Sequence, residues 1–140
     1  MYQSLVRPIL FLLSPEMAHQ AAFLFMRLAQ NIPGAAGIIR QIWAIEDRRL
    51  ERTVFGITFP NPVGLAAGMD KECEAFDMLG AMGFGFIEVG TIVPEPQPGN
   101  PKPRLFRLPK DKALINRMGF NSKGLAHAVR RLQKRKSKVV

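Results

Sequence analysis

The stretch from Asn61 to Gly90 constrains the fold more than any other part of the chain. Asn61-Pro62-Val63-Gly64-Leu65-Ala66-Ala67-Gly68 reads as a short buried strand running into a glycine turn. Glu72 to Met82 is a helical run, and Phe84-Gly85-Phe86-Ile87-Glu88-Val89-Gly90 is the next strand. Two strands separated by a helix cannot close as a hairpin; the chain must cross over, which sets them parallel. Parallel strands are covered on both faces, so the rest of the chain must help supply that cover. The class is therefore α/β, and 140 residues make one domain or part of one.

The first fifty residues are helical and apolar. Ser14-Pro15-Glu16 combines a serine cap, a proline at the first helical position and an acid in the first turn. From Met17 to Leu28, apolar residues cover well over half the helix surface. Each face then needs a partner: the helix packs into a core, or part of it lies on a bilayer. Asn31-Ile32-Pro33-Gly34 ends it, and Ala35 to Ile42 forms one further short helix. No run approaches the roughly 18–20 apolar residues of a membrane span, and the stretch Leu5–Leu13 is broken by Arg7 and Pro8. After the charged joint Glu46-Asp47-Arg48-Arg49, Thr53 to Phe59 reads as a small hairpin or a bent strand, with Gly56 at the turn. The loop 91–103 is proline-rich, Arg104 to Leu108 is a short strand, and Ser122 to about Lys136 is a closing helix.

The net charge of +9, from 20 basic and 11 acidic residues, is concentrated at one end. Seven basic residues (Lys123, Arg130, Arg131, Lys134, Arg135, Lys136 and Lys138) follow Asn121 with no acid among them, leaving the body nearly neutral. A nucleic-acid-binding surface would carry aromatic support, and no aromatic follows Phe120, so the basic helix reads as solvent-facing and no nucleic-acid partner is expected. The single cysteine, Cys73, excludes a disulfide framework and a thiolate zinc site. Two histidines far apart, His19 and His127, give no reason to expect a metal.

Four segments carry possible chemistry, all at strand ends or in loops. Ala66-Ala67-Gly68-Met69-Asp70-Lys71 lets a flat or phosphorylated ligand approach the backbone beside a lysine, or is a tight turn capped by Asp70. Gly90-Thr91 puts a hydroxyl at a strand's end, as a ligand contact or simply in water. In Asn100 to Leu108, Arg104 and Arg107 bind an anion or face solvent. Asn116-Arg117-Met118-Gly119-Phe120-Asn121 gathers two amides, a guanidinium, a glycine bend and an aromatic, a set able to read a small planar polar molecule. The same residues also serve as a turn into the last helix, with Asn121 or Ser122 as its cap. Together they describe a small-ligand site on a βα scaffold.

Five strings in this order resemble the dihydroorotate dehydrogenases. They are Asn61 to Lys71, Met82 to Thr91, Pro94 to Asn100, Pro103 to Leu108, and Asn116 to Asn121. The last, with the helical extension that holds Ser14-Pro15-Glu16 and His19, points to the quinone-linked class 2 branch. The resemblance implies a TIM (β/α)8 barrel holding FMN at the C-terminal face of its strands. Residues 1–50 would be a quinone- and membrane-associating extension, and 51–140 the first βα units of the barrel. Ala67, Gly68, Met69, Asp70, Lys71 and Thr91 match the FMN-binding positions. Lys71 also matches the lysine beside the orotate carboxylate, and Asn116, Arg117, Met118, Gly119 and Phe120 match the substrate loop. His19 and Arg107 match positions lining the quinone tunnel. The implied reaction takes a proton from dihydroorotate C5 to a serine base and a hydride from C6 to the flavin; electrons then pass to a membrane quinone in pyrimidine biosynthesis.

A full barrel needs about 250 residues. The chain reaches Lys138-Val139-Val140, where the family begins its third strand, so it reads as an incomplete barrel lacking the serine base, with no catalytic residue of its own. Cys73 does not match the class 1 cysteine base and reads as a packed helix residue. An open two-strand sheet would leave a parallel edge unpaired. The expected location is the cytoplasmic side of a bacterial inner membrane. The competing reading is a non-catalytic membrane-surface fragment with a basic tail.

Overall fold

A computed structural model describes residues 2–140, and it bears out the parallel unit at the centre of the chain. Strands β1 (Arg52–Val54) and β2 (Ile57–Phe59) form an antiparallel hairpin. Phe55 and Gly56 turn it at positive φ, 51° and 78°, the backbone of a primed two-residue turn. Strands β3 (Gly64–Leu65) and β4 (Phe86–Ile87) pair in parallel, Gly64 opposite Phe86 and Leu65 opposite Ile87. The crossover holds helix α4, Phe76–Ala81. It starts later than the periodicity suggests because Cys73 adopts φ 54°, a left-handed conformation no helix continues through.

Helices α1 (Arg7–Leu12), α2 (Pro15–Ala29) and α3 (Ala35–Trp43) precede the sheet. Ser14 caps α2, its hydroxyl accepting from Met17 N at 3.3 Å. Of two neighbouring phenylalanines on α2, Phe23 is 7% exposed and Phe25 73%, so one face of this apolar helix is turned inward and the other left open. Phe23 packs with Ala75, Phe76, Leu79 and Ile87, and Leu65, Leu132 and Val139 close around them. No single helix among the described residues is long and apolar enough to cross a bilayer; the segment Tyr2–Leu12 and α2 meet at a bend of 116°.

Beyond β4 the chain makes a second antiparallel hairpin, β5 (Leu105–Leu108) with β6 (Ala113–Asn116), and then helix α5 (Leu125–Leu132). β6 was not anticipated from the sequence, and α5 is shorter than the span from Ser122 to Lys136. Neither Asn121 nor Ser122 caps it; the residue before α5 is Gly124, whose N–H donates to Ser122 Oγ. The segment after α5 folds back along α4, where the Asp77 carboxylate accepts from Lys136 N and Ser137 N, each at 2.8 Å. Val140 then meets the sheet: Ile87 N donates to its carbonyl at 2.8 Å, so the open edge expected beside β4 is taken up at that residue. Among the described residues the three small sheets do not close into a barrel.

The basic end is only partly solvated. Arg131 donates to the carbonyls of Cys73 (3.4 Å) and Glu74 (2.8 Å), and Lys123 pairs with Glu74 at 2.6 Å. Arg130, Lys134, Arg135, Lys136 and Lys138 are exposed.

Candidate functional site

The C-terminal ends of β3 and β4 are joined by Gly68 N donating to Gly90 O at 2.7 Å and Gly90 N to Asp70 O at 3.4 Å. Strand ends of a parallel pair are where α/β folds place ligands, because the loops there diverge. Above this junction lies a cleft of about 580 Å³. Its walls are α2 (Glu16, His19, Phe23), the turn Gly68–Glu72, and the second hairpin with its following loop (Leu105, Asn116, Met118, Asn121).

Each wall is held by a bond across the cleft. His19 Nε2–H donates to the Met69 carbonyl at 2.9 Å, and its ring stacks on Phe23 with centroids 4.3 Å apart. Lys71 Nζ donates to Asn121 Oδ1 at 2.9 Å and to Gly119 O at 3.2 Å. Burial, then the charge of Arg104, holds the Lys71 ammonium below its ordinary range. Gly68 has φ 99°, and a Cβ built there would have no heavy atom within 4 Å, so its backbone faces open space.

Asp70 caps its own turn, one of the two readings for it, although α4 itself starts after Ala75 with no side-chain cap. It is 2% exposed, and its carboxylate accepts from Glu74 N at 2.8 Å and Ala75 N at 3.0 Å. Burial pushes its pKa up. Asp70→Asn keeps the shape and leaves one acceptor oxygen, so one of the two amides faces an NH2 group. It is expected to lower unfolding free energy by roughly 1–2 kcal/mol, measured by urea denaturation at pH 7; an unchanged midpoint would remove Asp70 from the capping role.

His19, Gly68, Met69, Asp70, Lys71, Asn116 and Met118 thus share one cleft. The Asn116 Oδ1 accepts from Met118 N at 2.9 Å, which shapes the loop. Others do not line it. Thr91 is exposed just beyond β4, Phe120 is exposed, and the Arg117 guanidinium donates to Pro103 O at 3.0 Å and sits over the Phe106 ring. Gly119 contributes only its carbonyl to Lys71.

Arg104 and Arg107 neither face water nor stand ready for an anion. Arg107 donates to Leu13 O (2.7 Å) and Leu10 O (3.2 Å) with its guanidinium 4.4 Å from the Phe11 ring centroid, tying α1 to β5. Arg104, 8% exposed, forks onto Glu16 with Nη2–Oε1 at 2.7 Å and Nε–Oε2 at 3.2 Å. Glu16 stands in the sequence only as an acid in the first turn of α2, and its pairing with Arg104 is not legible there, because nothing in local spacing shows that helix α2 meets β5. Cys73 is buried, as expected, but lies in the turn before α4 and not in a helix, and burial pushes its thiol up to about 11. Among the described residues no group of His, Cys, Asp and Glu could hold a metal ion.

Residues 49–140 match the family described as dihydroorotate dehydrogenase. A dihydroorotate dehydrogenase (quinone) of Christiangramia forsetii is 52% identical over all 140 residues, which cover 41% of that protein. One from Methylococcus capsulatus is 51% identical over 94% of the chain and 37% of its own length. In structure, DHODH of Eimeria tenella in complex with ferulenol superposes with a TM-score of 0.73 and 47% identity over 86% of this chain and 30% of that one. The chain spans about two fifths of the length of these curated relatives.

Proposed function

Because this chain belongs to the dihydroorotate dehydrogenase family, we propose that it supplies the flavin-facing turn, the substrate loop and the quinone-facing helices of an enzyme that oxidises dihydroorotate to orotate with a membrane quinone as electron acceptor. The observation that carries the proposal is the position of Lys71. Its ammonium reaches from the end of β3 to the loop that follows Asn116, at one mouth of a cleft walled by α2.

FMN fits the residues present: the open backbone at Gly68 admits a flat ring, and Lys71 offers a cation beside it. Ala67, Gly68, Met69, Asp70 and Lys71 would hold it, Asp70 through its main chain since its carboxylate caps the turn, with Thr91 at the neighbouring strand end. When bound, FMN accepts the hydride from the substrate. Lys71 holds the substrate carboxylate and stabilises developing negative charge. Asn116 offers its amide donors to the pyrimidine, and Arg117 and Asn121 hold the loop. Water is excluded by Met118 and Phe23. His19, bonded to the flavin turn, and Arg107, clamping the end of α1, fix the helices between which the quinone enters. The exposed apolar faces of α1 and α2 suit the surface of a bacterial inner membrane on its cytoplasmic side.

These 140 residues span about two fifths of the length of the curated relatives, and we expect no turnover from them alone. Fusing them to the C-terminal three fifths of the Christiangramia forsetii relative should restore dihydroorotate-dependent reduction of a soluble quinone. A fusion that folds and binds FMN yet reduces no quinone would overturn the assignment. The competing reading, a membrane-surface fragment without catalysis, predicts liposome co-sedimentation with no flavin bound.

A further inference from the structure

We propose that the Glu16–Arg104 fork is a positioning device: Arg104 sets the Asn116–Met118 loop, and Glu16 ties that setting to α2, the helix that carries His19. The inference rests on the reading of this loop as the substrate loop.

Glu16 and Arg104 are 88 residues apart in sequence, and both their side chains are almost fully covered, 12% and 9% exposed. The Arg104 guanidinium is spent entirely on the protein. Two nitrogens face the Glu16 carboxylate, and Nη1 donates to Pro98 O at 2.7 Å and Asn100 O at 3.1 Å. Its main chain continues the path, since the Arg104 carbonyl accepts from Arg117 N at 2.9 Å. Asn100, held by Arg104, in turn grips the loop twice: its N–H donates to Met118 O at 2.9 Å and its Nδ2 to Arg117 O at 2.8 Å. Three backbone groups of the loop therefore take their positions from one arginine.

A buried guanidinium needs its carboxylate, because an unpaired charge away from water is costly. The partner comes from the first turn of α2, one helical turn before His19, whose ring bonds the flavin turn at Met69. A shift of α2 therefore acts on two walls of the cleft together, on the turn through His19 and on the substrate loop through Glu16. The same carboxylate also pairs with Lys102 at 3.3 Å, but Lys102 is 61% exposed, so that contact adds little.

The test uses the full chain and Glu16→Gln, which keeps the shape and removes the charge. Amide exchange by NMR is expected to quicken about tenfold at Arg117, whose N–H is bonded to Arg104, and to stay unchanged at Glu88, bonded to Leu65 across the parallel pair. Orotate affinity is expected to fall about tenfold and FMN affinity to stay within about twofold, because the flavin turn is not on the Arg104 path. Lys102→Met should leave all four readouts at wild-type values. Should Glu16→Gln not fold, Glu16→Asp, which keeps the charge and shortens the fork, gives the same pattern in smaller measure. Unchanged protection at Arg117 overturns the proposal. So does equal quickening at Arg117 and Glu88, or an equal loss of orotate and FMN, since each describes a stabilising pair and no positioning. A wild-type chain that binds neither ligand overturns the functional reading instead, and the amide comparison then decides the fork alone.

Discussion

Gly85→Ala should unfold this chain or cost it at least about 3 kcal/mol. A Cβ at Gly85 would be driven into the Asn61 carbonyl oxygen, which is main chain and cannot swing away. Asn61 is fixed on two sides besides: its Nδ2 donates to Gly83 O at 2.9 Å, and its Oδ1 accepts from Val63 N at 3.0 Å. Gly85 N itself donates to Val63 O at 2.8 Å, so separating the two segments breaks the bond that leads into the β3–β4 pair. That pair is only two residues long on each strand and has little in reserve. Urea denaturation followed by circular dichroism measures the loss. Gly37→Ala, on α3 with nothing within 4 Å of the added methyl, is the control and should be neutral or stabilise by up to about 1 kcal/mol. A Gly85→Ala chain with an unshifted midpoint would show that the β3–β4 approach is looser than the geometry requires.

The parts of this fold that could be read from sequence are those whose cause is local. The turn at Gly56 follows from a glycine between two short runs rich in valine, isoleucine, threonine and phenylalanine, and strand pairing makes it a hairpin rather than a bent strand. The parallel pair follows from strand, helix and strand in close succession, and the start of α2 from Ser14-Pro15-Glu16, with the serine bonded as its type predicts. The parts that were not legible depend on distant partners. β6 is exposed along its whole length and exists because Leu105–Leu108 lies beside it, so Ala113–Asn116 has no buried alternation to betray it. The late start of α4 depends on Asp70 holding the amides of Glu74 and Ala75, which lets Cys73 take a left-handed turn.

The site divides in the same way. Gly68 and Lys71 can be recognised because a strand end, a small residue and a cation stand together. The Glu16–Arg104 pair cannot, since in sequence one is an ordinary acid in the first turn of a helix and the other one of two arginines in a basic segment. Arg107 carries the same lesson. Its guanidinium ends on the carbonyls of α1, a contact set by how the extension docks on β5.

Lys71→Met should weaken orotate binding by about 10–150-fold, the range of a charged hydrogen bond lost from a partly dry site. Of the cationic side chains lining the cleft, Lys71 is the one that spans the Gly68–Glu72 turn and the loop after Asn116, the two segments proposed to hold flavin and substrate, and its own bonds to Asn121 and Gly119 hold the ammonium at the mouth. Those bonds are made by a half-exposed group, so the fold should lose no more than about 1 kcal/mol. In the fusion with the relative's C-terminal part, turnover should fall by about 10²–10³, because the same cation meets charge that grows in the transition state. The pH dependence supplies a second readout with a definite sign. Binding needs the ammonium, so affinity is full below the Lys71 pKa and is lost as pH rises through it. Burial, followed by the Arg104 charge, lowers that pKa from its ordinary 10.5, so the loss begins at lower pH than a solvent-exposed lysine would give. Lys71→Arg keeps a cation at every accessible pH and should abolish this alkaline limb while restoring part of the affinity. Titration of orotate by calorimetry across the alkaline range measures both effects. An affinity for orotate that survives Lys71→Met would place the substrate carboxylate elsewhere in the cleft.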